Sequence, residues 1–217
     1  MPPPLPSLQQ FQRLCYRNDS ISSGLLQIGF SRAQCNALCR SYPVRFNKVH
    51  ASQIVQRSRH ILHHFHPHLE LQQLIGVTLS FPKLLLSAKG PLYALQCKML
   101  LSDRLGLDIS QTSKILCKAP KILTKRAEGL AAAFELMKDQ MQFEMQDIIS
   151  NGCKALELVE GELQQRHEFL QSIGKNQYDK NLPLFVSLEV IGKSRLKDFV
   201  EAIGETEENY MKFLKTI

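Results

Sequence analysis

Five histidines crowd the stretch RHILHHFHPH, and His60 and His64 fall one helical turn apart, a spacing at which two imidazoles can share a transition metal. Zinc takes four protein ligands, or three around an open position, and the stretch itself holds no cysteine or acid to complete either set. Exposed histidines beside a proline stop are therefore expected, with no metal and no cofactor. Cys35 and Cys39 are also one turn apart, but they occupy apolar positions and read as small buried hydrophobes. There is no Gly-rich phosphate loop, GxSxG, HExxH or paired-carboxylate arrangement, so an enzyme is not expected. The six cysteines are scattered without CxxC pairs, which fits a reducing compartment.

Charge is the more informative chemistry. Basic residues gather around three prolines: Arg40, Arg45 and Lys48 around Pro43; Lys83 and Lys89 after Pro82; Lys118, Lys121, Lys125 and Arg126 around Pro120. Residues 20–126 hold 15 Lys/Arg against three acids, whereas 127–217 holds 10 against 16. The first part can attract a polyanion by releasing its counterions, and the acidic remainder suits a protein partner with a basic patch. Solvated helix faces are the plainer alternative. With 217 residues, 44% of them hydrophobic, the chain can bury a core. No window approaches the roughly 20 apolar residues of a membrane span.

The elements that must position these charges are repeated. FSRAQCNALCRSYPVRF, LELQQLIGVTLSFPKLL and LDISQTSKILCKAPKIL superimpose without a gap on Pro43, Pro82 and Pro120. A glutamine precedes each proline by nine residues (Gln34, Gln73, Gln111), and an apolar residue by thirteen (Phe30, Leu69, Leu107). Ser31 to Gln34 and Asp108 to Gln111 have the form of a capping box, and Gly29 and Gly106 stand where a preceding helix needs a left-handed end. Each unit thus opens with a short helix stopped near its proline, turns an apolar corner and runs into a longer helix. Those longer helices are expected at 52–66, 91–105, 129–142 and 161–173, the first burying Ile54, Ile61 and Phe65 with Val55 and Leu62. A fourth, degenerate unit puts Gly152 in the proline's place. Two tail helices come after it, with Ser194 and Thr206 as N-caps. The expectation is an all-α solenoid of either hand over 24–174, a helical cap over 175–217, and a leader over 1–23 whose Arg13 and Arg17 fit either an organelle transit segment or a plain tail.

The units ILCKAPKIL and VTLSFPKLL resemble the repeats of the mitochondrial transcription termination factor (mTERF) family, over about residues 24–174. QQRHEFLQSIG, through Arg166, His167, Phe169, Leu170 and Gly174, resembles the fourth metazoan subfamily more closely. The resemblance implies a half-doughnut solenoid in the mitochondrial matrix with a basic concave face. For that subfamily it further implies ribosomal RNA binding and recruitment of an RNA cytosine methyltransferase of the Nol1/Nop2/Sun type for large-subunit assembly. Arg45 departs from the pattern, standing where an apolar residue is usual. The nine basic residues named above are the candidate nucleic-acid contacts. Arg166 and His167, with Leu182, Leu184, Phe185 and Val186, are candidates for binding a partner, although the four apolar residues could equally close the solenoid's end. Double-stranded DNA, as in transcription termination or its regulation, is the rival target, and a protein-only scaffold is the alternative class.

Overall fold

The computed structural model describes residues 19–41 and 49–216, so Pro43, Arg45 and Lys48 lie outside the described residues. Among these, the chain forms thirteen α-helices and no strand. It divides into two compact units, Met1–Gln96 and Cys97–Ile217.

In the first unit α1 (Asp19–Gln27) packs on α2 (Arg32–Ser41) and crosses α3 (Ala51–Phe65). The crossing needs glycine: a Cβ on Gly24 would lie 2.8 Å from Ala51 Cα. Helix α3 buries Ile54, Ser58, Ile61 and Phe65. Ser58 takes a place expected of Val55 or Leu62, which are only half-buried, and its hydroxyl is satisfied by donating to Val55 O at 2.8 Å. Helices α4 (Leu71–Ser80) and α5 (Lys83–Leu86) come next, and α6 (Gly90–Met99) leads from this unit into the second.

The second unit repeats the pattern. After a π-turn at Leu100–Arg104 come α7 (Ile109–Lys118), a 3-10 corner at Pro120–Thr124 and α8 (Ala127–Glu135), which ends in a second π-turn, Leu136–Gln140. Then come α9 (Met145–Asn151), a 3-10 corner at Ala155–Glu157 and α10 (Glu162–Ser172). Short helix packs on short helix (α7 on α9), and corner on corner. The expected long helices are all present, with bounds shifted by a residue or two and with wider π-type last turns at two of them.

Helix starts explain the recurring glutamine. Gln34, Gln73 and Gln111 each sit at the third helical position and accept a hydrogen bond from the N–H of the capping residue, at 2.8, 2.8 and 2.9 Å. Ser31 Oγ and Asp108 Oδ1 in turn accept from the glutamine N–H. Gln53 does the same for His50 at the start of α3. The apolar residue before each cap is buried, as is the residue five positions on, the two places of a hydrophobic staple: Phe30 with Cys35, Leu69 with Leu74, Leu107 with Thr112. Phe143 with Ile148 continues the series.

That fourth member corrects the alignment of the degenerate unit. Gly152 is the C-cap of α9, as Phe81 and Ala119 are of α4 and α7, so it is Cys153, one residue later, that stands where the others have proline. Its thiol donates back to Ile149 O at 3.0 Å. The glycine answers a packing need, because a Cβ there would lie 2.8 Å from Ile148 O and 3.1 Å from Leu188 Cδ1. Leu188 opens α11 (Leu188–Ile191), which packs on α9 and the second corner and precedes α12 (Leu196–Ala202) and α13 (Glu207–Phe213). Thr206 caps α13 as expected, accepting from Asn209 N–H. Ser194 does not cap α12; Arg195 holds that place and pairs with Asp198 at 2.8 Å.

Candidate nucleic-acid interface

At the first described corner, Pro82 is buried with Leu84, Leu85 and Leu86, which leaves Lys83 facing solvent. Lys89 is exposed just before α6 begins at Gly90. A Cβ on Gly90 would lie 1.8 Å from Leu84 O, so only glycine lets this helix start press so closely on the corner. From α3, Arg57 donates to Leu85 O at 2.8 Å, and burial lowers its pKa. Neither the Lys83 nor the Lys89 ammonium has a hydrogen bond or ion pair among the described residues. Both ammonium groups are therefore open to a phosphate, although the backbone N–H groups beside them are largely taken, Lys89 N–H by Ser87 Oγ and Gly90 N–H by Ser87 O. Arg40 is exposed in the last turn of α2.

The Pro120 corner is wired differently. Lys118 Nζ donates to Ser150 O at 2.6 Å, at the end of α9. Lys125 is half-buried and donates to Leu158 O; burial lowers its pKa, against the opposing pull of Glu162, Glu160 and Glu157. Arg126 pairs with Glu160 at 2.5 Å, and that hydrogen bond holds it the more firmly protonated. Lys121 lends its backbone N–H to Glu157 Oε1 at 3.1 Å, while its exposed side chain has no partner among the described residues. Three of the four cations thus bridge to the next repeat, whose acids and carbonyls lie 32 to 34 residues on. The sequence does carry a signal for these partners, since Glu157 and Glu160 recur about one repeat after the basic corner.

The residues expected at a partner surface separate into two groups. Leu182, Leu184 and Phe185 are exposed, at 47%, 77% and 38%. Val186 is buried, as are Arg166 and His167, at 0% and 1% exposure, so these three face the interior. Arg166 donates to Ile191 O and, at 2.7 Å, to Lys193 O, pairs with Glu162 and lies 4.7 Å from the Phe199 ring centre. It fastens the tail to α10. His167 Nδ1 lies 2.7 Å from the Tyr178 hydroxyl. Burial lowers the histidine's pKa and raises the tyrosine's. In α3, His60 and His64 Nε2 atoms are 3.2 Å apart, but no group of three or more His, Cys, Asp or Glu among the described residues is arranged to hold a metal. Cys35 is buried and Cys39 half-buried.

An all-helical chain in which short helix, buried corner and longer helix recur is consistent with a helical solenoid, and its solvent-facing corner lysines are suited to a polyanion. No family model matches the chain. Over 118 residues it is 27% identical to a Drosophila melanogaster protein, Transcription termination factor 3, mitochondrial. The match takes in 54% of this chain and 33% of that protein, so it spans about a third of the relative's length. This likeness supports the mitochondrial transcription termination factor family at the level of the family, not of a subfamily.

Proposed function

We propose that the chain is a mitochondrial nucleic-acid-binding factor that acts in transcription termination or its regulation, and that it is a binding protein without catalysis. The observation that carries this reading is the set of unpartnered, exposed ammonium groups at the corners: Lys83, Lys89 and Lys121. They would contact phosphates and position the nucleic acid without reading bases, so affinity should depend strongly on salt. Arg40, Arg45 and Lys48 join the same set of proposed contacts by the repeat pattern. Lys118, Lys125 and Arg126 keep a place in it as secondary contacts, since each already has a partner within the protein.

The relative's name supports the mitochondrial location and the link to transcription. The test is fluorescence anisotropy with RNA and double-stranded DNA of one sequence, titrated between low and physiological salt. Affinity should fall by at least an order of magnitude across that range. Salt-insensitive binding, or binding unchanged by Lys83→Glu, Lys89→Glu and Lys121→Glu together, would sink the reading.

A second, finer reading has ribosomal RNA as the target and a Nol1/Nop2/Sun-type RNA cytosine methyltransferase as partner, in the mitochondrial matrix. One segment favours it, QQRHEFLQSIG, whose Arg166 ties Ile191 and Lys193 to α10, a few residues after the exposed Leu182, Leu184 and Phe185. Crosslinking and sequencing of the bound nucleic acid separates the two targets. Capture of the methyltransferase that survives Leu184→Asp with Phe185→Asp removes those residues from its docking.

A further inference from the structure

Opposite in character to the corners is a cleft of about 680 Å³ within the second unit, walled by residues 140–144, by α9, by α10, by the loop 176–187 and by the first turn of α11. Four carboxylates line it: Glu144, Asp147, Asp179 and Glu189. None of the four forms an ion pair among the described residues; Asp179 accepts from the Asn181 N–H and side-chain amide, both at 2.9 Å. Lys180 is the single cation on the lining. The remainder of the lining is rich in carboxamides, which add neutral donors and acceptors without cancelling that charge.

A second observation points independently to a ligand. His167 lines the cleft, is 1% exposed and has no partner for Nε2, while its Nδ1 meets the Tyr178 hydroxyl at 2.7 Å. Whichever group donates, one hydrogen-bonding position of this buried pair is left open, and a buried polar atom without a partner is costly. At the rim stands Phe185, exposed beside Leu184, whose backbone is held at φ +64, a conformation that leucine rarely adopts. An exposed aromatic ring on an otherwise acidic, hydrogen-bonding lining matches a side chain with an apolar stem and a cationic head.

We propose that this cleft receives an arginine-bearing segment of a partner protein. A guanidinium can meet the carboxylates bidentately and lie flat against the Tyr178 and Phe185 rings, which an ammonium does less well. A nucleic acid is repelled by the same carboxylates. The site is separate from the corner lysines and stands or falls without them.

The probe is a fluorescein-labelled octa-arginine peptide added to the full chain at about 150 mM salt, where long-range attraction between exposed charges is screened. Wild type should bind it more tightly than an octa-lysine peptide. Glu144→Gln with Glu189→Gln should weaken binding at least tenfold, whereas Glu201→Gln with Glu208→Gln, which removes the same charge outside the cleft, should leave it unchanged. Lys83→Glu with Lys89→Glu should also leave it unchanged, even if it abolishes nucleic-acid binding. In wild type, amide resonances of 140–151 and 176–189 should move on adding peptide, a readout that does not require any variant to fold. Equal losses in the two acid-neutralised variants, absence of binding, shifts confined to other residues, or competition by RNA for the same resonances would each overturn the proposal.

Discussion

The Pro82 and Pro120 corners are built alike and differ in how many of their cations already have a partner within the protein. Each buries its proline and the apolar residues after it, and each carries lysines on the outside. At Pro82 the ammonium groups of Lys83 and Lys89 face solvent without partners. At Pro120, Lys118, Lys125 and Arg126 bond to Ser150, Leu158 and Glu160 of the next repeat. The difference originates in the next repeat: main-chain carbonyls of Ser150 and Leu158 take Lys118 and Lys125, and only Arg126 owes its partner, Glu160, to the acid-rich stretch 127–217. A count of positive charge therefore overstates the charge available to a ligand at one corner and states it correctly at the other.

The largest test of that contrast lies deeper in the second unit. Arg166→Leu should cost about 3 kcal/mol, because it strands the Ile191 and Lys193 carbonyls and leaves Glu162 unpaired. Urea unfolding would measure it, and a loss below about 1 kcal/mol would mean that the arginine does not hold the tail. Next in size, Lys83→Glu with Lys89→Glu should weaken nucleic-acid binding roughly tenfold or more and flatten its salt dependence. Arg126→Glu should weaken it less, being already paired with Glu160. Equal effects in anisotropy titrations would erase the distinction between the corners.

Lys125→Met should lower stability by about 1 kcal/mol through the abandoned Leu158 carbonyl, while Lys83→Met stays within about 0.5 kcal/mol. Thermal melts of the two variants decide between a bridging and a solvated lysine. The smallest expected effect is on pH. His167 has a lowered pKa when folded, so the unfolded chain binds its proton first, and stability should fall as pH drops below the ordinary value of 6.5. His167→Gln should flatten that slope between pH 7.5 and 5.5 in urea titrations; an unchanged slope would assign the acid sensitivity to other groups.

Much of the helical order could be read from residues with strict local demands. The N3 glutamines and the left-handed Gly29 and Gly106 act over four or five residues, so their role survives without knowledge of the fold. Features that depend on residues far along the chain were less visible. Gly152 answers in part to Leu188, beside the closer Ile148 backbone, and Ser58 replaces a hydrocarbon on the buried face of α3, where a carbonyl three residues back satisfies it. The burial of Arg166 and His167 was hidden for the same reason: their partners come from residues 178 to 199, and polar side chains alone do not announce that they have been enclosed.

The two π-turns, Leu100–Arg104 and Leu136–Gln140, bear on how such a chain can change. Each fits one surplus residue into the end of a long helix, and the next short helix still starts after a residue with positive φ, Gly106 or Gln142, and a buried Leu107 or Phe143. A single-residue insertion elsewhere in a helix turns every later side chain by about 100°. Here the surplus is absorbed before the next cap. These turns are thus the sites where repeat length could drift by one residue over generations while the rest of the unit keeps its register.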